Sequence, residues 1–262
     1  MHLHTPEDLP DTPTQRAADR RQLLRALNFS LGFVLMLAAA FALQQGEDYR
    51  ALTVTAMSMQ GLWGLLTAPL LHGSVEHIAA NAASLLLLGT LAGSVYPKAT
   101  LRALPILWLG SGLGAWLLGD PGSHHLGASG LTHGLMFLVF TLGLLRRDRP
   151  SIAAAMIAFL LYGGMLLTVL PQEPGVSWQS HLGGALGGLL SAVLFRHADP
   201  IRPRKQYSWE LEDELAPVDD GELEPPSPHD VPVLWHRPDA PRGVVLQFPP
   251  PDTSAHGEDP LR

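Results

Sequence analysis

The stretch HLGASGLTHG, residues 125–134, holds Ser129 among small residues with a histidine on either side, His125 and His133. A serine hydroxyl attacks a carbonyl carbon only when a neighbouring base takes its proton, and neutral imidazole is the usual base near physiological pH. Two histidines compete for that role: His181, far along the chain in SHLGGALGG, and His133, one helical turn after the serine. Side chains on a helix lean toward its start, so geometry alone admits His133. A base on a separate helix, however, approaches the hydroxyl from the side, which favours His181. The tetrahedral intermediate also needs donors aimed at its oxyanion, each worth about a hundred- to a thousandfold in rate. His77 and Asn81, four residues apart in HGSVEHIAAN, supply an imidazole and an amide on one helix face. The Ser129 backbone N–H adds a third donor if a helix begins there. Apart from Glu76, the apolar stretches around these residues contain no Asp or Glu. The set therefore suits a Ser–His dyad rather than a triad.

The elements that must position these groups are legible as apolar runs. Of the 262 residues 47% are hydrophobic and 16% charged, with no cysteine, a balance that favours a membrane protein over a small disulfide-held domain. About 20 mostly apolar residues cross a bilayer as a helix, and six runs qualify: 23–43, 75–95, 101–118, 126–145, 152–170 and 178–195. The first begins late and lacks a small-residue cleavage site, so it reads as a retained span and not a signal peptide. Basic residues cluster around 16–25, at 98 and 102, at 146–149 and at 196–205, whereas the opposite connections hold only Arg50. The positive-inside rule then puts both termini in the cytoplasm. With this topology His77, Asn81, Ser129 and His181 all start their spans from the outer face and share one depth. Polar residues inside a membrane face the bundle and not lipid, so the layout predicts a wet pocket opening outward.

The expected fold is an all-α membrane protein: residues 1–22 form a cytoplasmic segment, 23–198 a six-helix bundle, and 199–262 a disordered cytoplasmic tail. From residue 206 onward thirteen acidic residues face three arginines, among many prolines. Such a chain buries too little apolar surface to offset the entropy of ordering. Its few aromatics, Tyr207, Trp209, Trp235 and Phe248, are candidate docking points for a partner, but scattered solvated residues are the plainer reading. Residues 46–74 are too polar and too broken by Gly and Pro to cross, and read as an outer loop in the interface with Trp63 as its anchor.

Taken singly, each polar residue has a plainer explanation. A serine near a helix start bonds its own backbone, a histidine at a helix end is interfacial, and glycines such as Gly184 and Gly188 form a GxxxG packing face. Three separate helices placing such groups at one depth is what the plain readings do not explain. At these residues the sequence resembles the rhomboid family of intramembrane serine proteases: HGSVEHIAAN with His72, His77 and Asn81, GASG with Ser129, and SHLGGALGG with His181, over about residues 23–195. The resemblance implies Ser129 as nucleophile, His181 as general base, and His77 with Asn81 in the oxyanion site. It also implies cleavage of substrate transmembrane segments near the outer membrane face, with water and no cofactor.

There are departures. Many rhomboids have Trp-Arg in the first outer loop, whereas Trp63 is followed here by Gly64. Many carry a tyrosine beneath the base, four residues after the serine, where this chain has His133. SGLTHG is also similar to the rhombosortase branch, whose members process sorting tails at protein C-termini. A metalloprotease lacks its HExxH, and HGSVEH is one residue too long for the inverted HxxEH form; His72, His124 and His125 read as pocket-rim or loop residues. A transporter or a catalytically inactive client-binding rhomboid remains an alternative. The basic residues are explained by topology and give nucleic-acid binding no support. The expected partners are transmembrane substrates and the lipid bilayer, in a bacterial cytoplasmic membrane.

Overall fold

The computed structural model describes residues 9–10, 13–171, 175–200 and 205–206. The chain divides into two units, Met1–Leu211 and Glu212–Arg262, and the described residues belong to the first. The expected tail, beyond residue 200 and apart from 205–206, lies outside them.

The described residues form an α-helical bundle. Its elements are the strand β1 (Leu9–Pro10), helix α1 (Pro13–Leu43), strand β2 (Val54–Thr55), the short helix α2 (Gly64–Thr67), α3 (Val75–Val95), α4 (Pro97–Leu118), β3 (His124–His125), α5 (Ser129–Arg146), α6 (Arg149–Tyr162), α7 (Trp178–Phe195) and β4 (Lys205–Gln206). β1 pairs with β4 in parallel, and β2 with β3 antiparallel.

Helix boundaries follow local chemistry. Pro13 and Pro97 sit in the first turns of α1 and α4, where a missing N–H loses no helical bond. Ser74, Ser177 and Asp148 cap α3, α7 and α6 by accepting backbone N–H bonds from His77, Ser180 and Ser151. These ends differ from the apolar runs in several places, α4 starting at Pro97 and not 101 and α6 at Arg149 and not 152 among them. α1 begins ten residues before the run at 23, because after Pro13 in its first turn residues 14–22 contain no breaker; Arg16, Arg20 and Arg21 of the expected 1–22 segment ride on the helix, and residues 1–8 and 11–12 lie outside the described ones. α5 starts at Ser129 and not at 126, because Gly127 has φ +111°, outside helical geometry. α6 stops at Tyr162 instead of continuing to 170; Gly163 and Gly164 lead into a 3-10 turn ending at Leu166.

Hydrogen bonds fix how the helices alternate. Gln22 Nε2 near the start of α1 donates to the Ser94 carbonyl at the end of α3 (2.8 Å). The Asp199 carboxylate, just past α7, accepts the Lys98 and Ala99 backbone N–H groups at the start of α4 (3.0 and 2.9 Å). Arg146 at the end of α5 donates to the Asp199 carbonyl and pairs with the α6 cap Asp148 (3.0 and 3.2 Å). The start of α1, end of α3, start of α4, end of α5, start of α6 and end of α7 therefore share one end, and six helices run back and forth between two ends.

Five of these helices, α6 with its 3-10 turn included, are long and apolar enough to cross a membrane. The sixth, α7, is as long as α5 but diluted by Gln179, Ser180, His181 and glycines. Those glycines are what put α7 inside. A Cβ on Gly184 or Gly188 would strike the backbone of Gly130 or Gly134 on α5, and one on Gly183 the backbone of Gly110 and Gly114 on α4. Backbones this close gain dispersion contacts that lipid cannot outcompete. The buried core, with Leu88, Leu107, Met136, Leu138 and Leu142 at its centre, fills the bundle.

The loop from 46 to 74 packs onto the bundle more closely than an interfacial loop requires. Thr53, Val54, Ala56 and Ala68 are buried, Trp108 Nε1 on α4 donates to the Leu65 carbonyl (3.0 Å), and Trp116 Nε1 to the Ser58 carbonyl (2.8 Å). Its other side leaves Met59 and Trp63 about three-quarters exposed (75% and 74%).

Candidate active site

Ser129 is the first residue of α5, and the turn before it is set by glycine and histidine. Gly127 donates its N–H to the Ala68 carbonyl (2.9 Å), and a Cβ there would lie 2.6 Å from the His77 ring. No other residue accepts both the φ and the imidazole. On the far side of the serine, a Cβ on Gly130 would collide with Ser111 Oγ and the Ser180 carbonyl. GASG thus lets α5 begin abruptly against α3, α4 and α7.

His181 Nε2 lies 2.9 Å from Ser129 Oγ. Its Nδ1 lies 2.9 Å from the carbonyl oxygen of Thr168. A carbonyl only accepts, so Nδ1 carries the proton and Nε2 presents its lone pair to the serine hydroxyl. The ring is buried, at 6% exposure. His133, the other candidate base, points elsewhere: Nδ1 meets the Ser129 carbonyl (2.7 Å) and Nε2 the Thr168 hydroxyl (2.8 Å). Its ring lies flat against that of His181, centroids 3.8 Å apart and planes 12° off parallel.

His77 and Asn81 share the inner face of α3. The Asn81 side-chain NH2 donates once to the His77 carbonyl (3.1 Å) and keeps a second N–H. Ser129, His181, His77, Asn81, His133 and Thr168 all line one cavity of about 1120 Å³. β3 and the stretches around Met165 and Val176 line it too. All four residues singled out from the sequence come together there.

Two features were not anticipated. His72, read as a rim residue, is fully buried (0% exposed). Gln44 at the end of α1 grips its backbone from both sides, donating to the His72 carbonyl and accepting its N–H, and the ring faces the Ala128 N–H just before the nucleophile (3.5 Å). Burial, with His77 close by, holds its pKa down to about 4, against the pull of the Leu70 carbonyl, so the ring is a neutral acceptor. The second is Thr168, which no sequence pattern marks. His124 and His125 are engaged one by one, His124 with Thr53 and Thr55, His125 with Ser123 and Ser177. Burial also lowers the pKa of His125, partly offset by Asp120.

A family model described as the Rhomboid domain matches residues 59–198. Uncharacterized proteins of Mycobacterium tuberculosis and Mycobacterium bovis are each 35% identical over 204 residues, covering 74% of this chain and 85% of the relative. The chain belongs to the rhomboid family. An uncharacterized protein of Mycobacterium leprae is 38% identical over 141 residues, 51% of this chain and 56% of its own length. This rhomboid is accordingly a multi-pass membrane protein of a family that generally consists of intramembrane serine proteases. The matched region takes in α3 to α7, and with them every residue of the Ser129 cavity named above.

Proposed function

We propose that this rhomboid is an intramembrane serine endopeptidase that cuts transmembrane segments of membrane-protein substrates near the outer membrane face through a Ser129–His181 dyad. The observation that carries the reading is the 2.9 Å contact between Ser129 Oγ and an imidazole nitrogen whose partner nitrogen is held by a carbonyl. In the first step His181 Nε2 takes the hydroxyl proton as Oγ attacks the peptide carbonyl carbon. The oxyanion is met by the Ser129 backbone N–H at the start of α5, the free Asn81 amide N–H and the His77 imidazole. Collapse breaks the C–N bond, with His181 returning the proton to the leaving amine and an ester left on Ser129. Water then gives a proton to His181 as its oxygen attacks the ester carbon, and on collapse the acyl–Oγ bond breaks and His181 returns that proton to Ser129 Oγ, leaving the acid product and free serine. Every proton is handled by this chain's own groups, so the scheme calls for no cofactor.

The membrane setting follows from the same scheme. Peptide hydrolysis needs water, and the dyad lies at the end of the bundle opposite the Arg146–Asp148–Asp199 contacts. With arginines concentrated at that second end, the reading puts it and both termini in the cytoplasm and the cavity mouth outside, as in a bacterial inner membrane. Exposed Trp63 then sits where aromatic side chains anchor at a headgroup boundary.

Purified protein in detergent, incubated with a fluorophosphonate probe, tests the dyad. Covalent labelling of the wild type that disappears in Ser129→Ala supports it. A wild type that takes up no probe, with the fold intact by circular dichroism, moves the assignment to a client-binding rhomboid without turnover.

A further inference from the structure

Two imidazoles from different helices converge on one residue outside both. Thr168 lies beyond α6 and its 3-10 turn, where the chain has left regular structure. Its carbonyl accepts from His181 Nδ1 (2.9 Å) and its hydroxyl meets His133 Nε2 (2.8 Å). His133 Nδ1 in turn meets the Ser129 carbonyl (2.7 Å), and the rings are stacked at 3.8 Å.

Donor and acceptor rules allow one arrangement with both rings neutral. The Ser129 carbonyl only accepts, so His133 Nδ1 carries the proton and Nε2 is bare; the Thr168 hydroxyl must donate to it. The same hydroxyl lies 3.2 Å from the Met165 carbonyl, but one proton serves one strong bond, and turning it to Met165 would set two lone pairs against each other at His133. The circuit closes from Ser129 through His133 and Thr168 to His181 and back to Ser129 Oγ. A non-helical peptide such as that of Thr168 would otherwise be free to rotate. The only carboxylate among the described residues lining the cavity is that of Asp120, and it makes no contact with His181 that could orient the ring.

We propose that Thr168, locked by its hydroxyl bond to His133, is a positioning residue that takes the place of a triad acid, holding the base His181 in its reactive tautomer and ring plane. The proposal rests on the dyad reading, and it assigns to His133 the work of fixing the Thr168 peptide through a bond and bracing the base through a stack. The Thr168→Val side chain is nearly isosteric and removes only the hydroxyl. His133→Phe keeps a stacking ring and removes both of its bonds.

The test uses the full-length protein in detergent, with a cleaved transmembrane substrate and the fluorophosphonate probe. Thr168→Val is expected to lower kcat and the labelling rate by about ten- to a hundredfold, as for a misaimed catalytic group, with KM within about twofold. Thr168→Ser should restore most of the loss. His133→Phe should resemble Thr168→Val, and the double variant should be no worse than the weaker single, because both remove one shared bond. Nitrogen-15 NMR of histidine-labelled protein reads the same device without turnover: His181 in a single Nδ1–H tautomer in wild type and Thr168→Ser, and in mixed tautomers in Thr168→Val. Wild-type rates in Thr168→Val, Thr168→Ser as impaired as Thr168→Val, or a loss confined to KM would each overturn the proposal. If wild type takes no probe, the dyad reading fails, and the NMR comparison still decides whether Thr168 sets the tautomer. Should Thr168→Val not fold, His133→Phe and Thr168→Ser carry the same decision.

Discussion

The two ends of α5 solve the problem of polar groups inside an apolar bundle in opposite ways. At its C-terminal end Arg146 pairs with Asp148, donates to the Asp199 carbonyl and lies 5.5 Å over the Tyr96 ring. Asp199 spends its carboxylate on two α4 N–H groups. Charges are dense there and matched with partners, and the buried Tyr96 hydroxyl has its pKa pushed up to about 12, chiefly by burial. At the N-terminal end the groups are hydroxyls, imidazoles and an amide around a cavity, and several keep an unused donor or lone pair. Buried charges demand fixed partners, whereas neutral groups tolerate an open coordination that a substrate can complete. One end of the helix is therefore closed by electrostatics and the other left open for chemistry.

That contrast predicts where substitutions act. The largest effect belongs to Ser129→Ala and His181→Ala: substrate cleavage should fall by about a thousandfold or more in each, with the melting temperature in detergent little changed, as gel-based cleavage and thermal melts would register. Appreciable turnover in His181→Ala would mean that the open end holds no base of the kind described. Next comes Asn81→Ala, expected to lower kcat by about a hundredfold while substrate binding holds, as for loss of one oxyanion donor; progress curves at saturating substrate measure it. At the closed end Asp199→Ala should do the reverse. It removes the carboxylate that accepts two N–H groups at the start of α4, destabilising the fold by about 1–2 kcal/mol, while the folded fraction cleaves at the normal rate. An Asp199→Ala protein as stable as wild type would show that the charged contacts are ornament.

The smallest expected effect is a pH dependence of stability from His72. Its native pKa is held at about 4, against an ordinary 6.5. Between those values the unfolded chain takes up a proton that the native protein refuses, so stability declines as pH falls from 6.5 to about 4 and this group contributes no slope above that window. Thermal melts across that range should show the decline in wild type and a shallower one in His72→Gln.

Much of the site could be read along the chain, because each residue sits near the start of an apolar run and alternating runs bring starts of the same sense to one depth. His77 and Asn81 needed only helical spacing. His72 did not yield to that reasoning, since its burial comes from Gln44 on another helix gripping its backbone. Thr168 had no signal at all: it acts through a carbonyl that every residue possesses and a hydroxyl pointing at a helix two elements away. Helix ends were missed where glycines decide them, Gly127 by its positive φ and the Gly163–Gly164 pair where α6 gives way to a 3-10 turn.

The sequence by itself determined that this chain is an apolar helical bundle and which residue types meet at one level, because hydrophobic run length and helical period are properties of neighbours along the chain. Only the tertiary structure decided which of two histidines faces the serine. His133 and His181 are equally competent imidazoles, and what separates them is that one is turned to a backbone carbonyl on its own helix while the other crosses a glycine-lined contact, made possible by the absence of Cβ atoms on Gly130 and Gly184, to reach Ser129 Oγ.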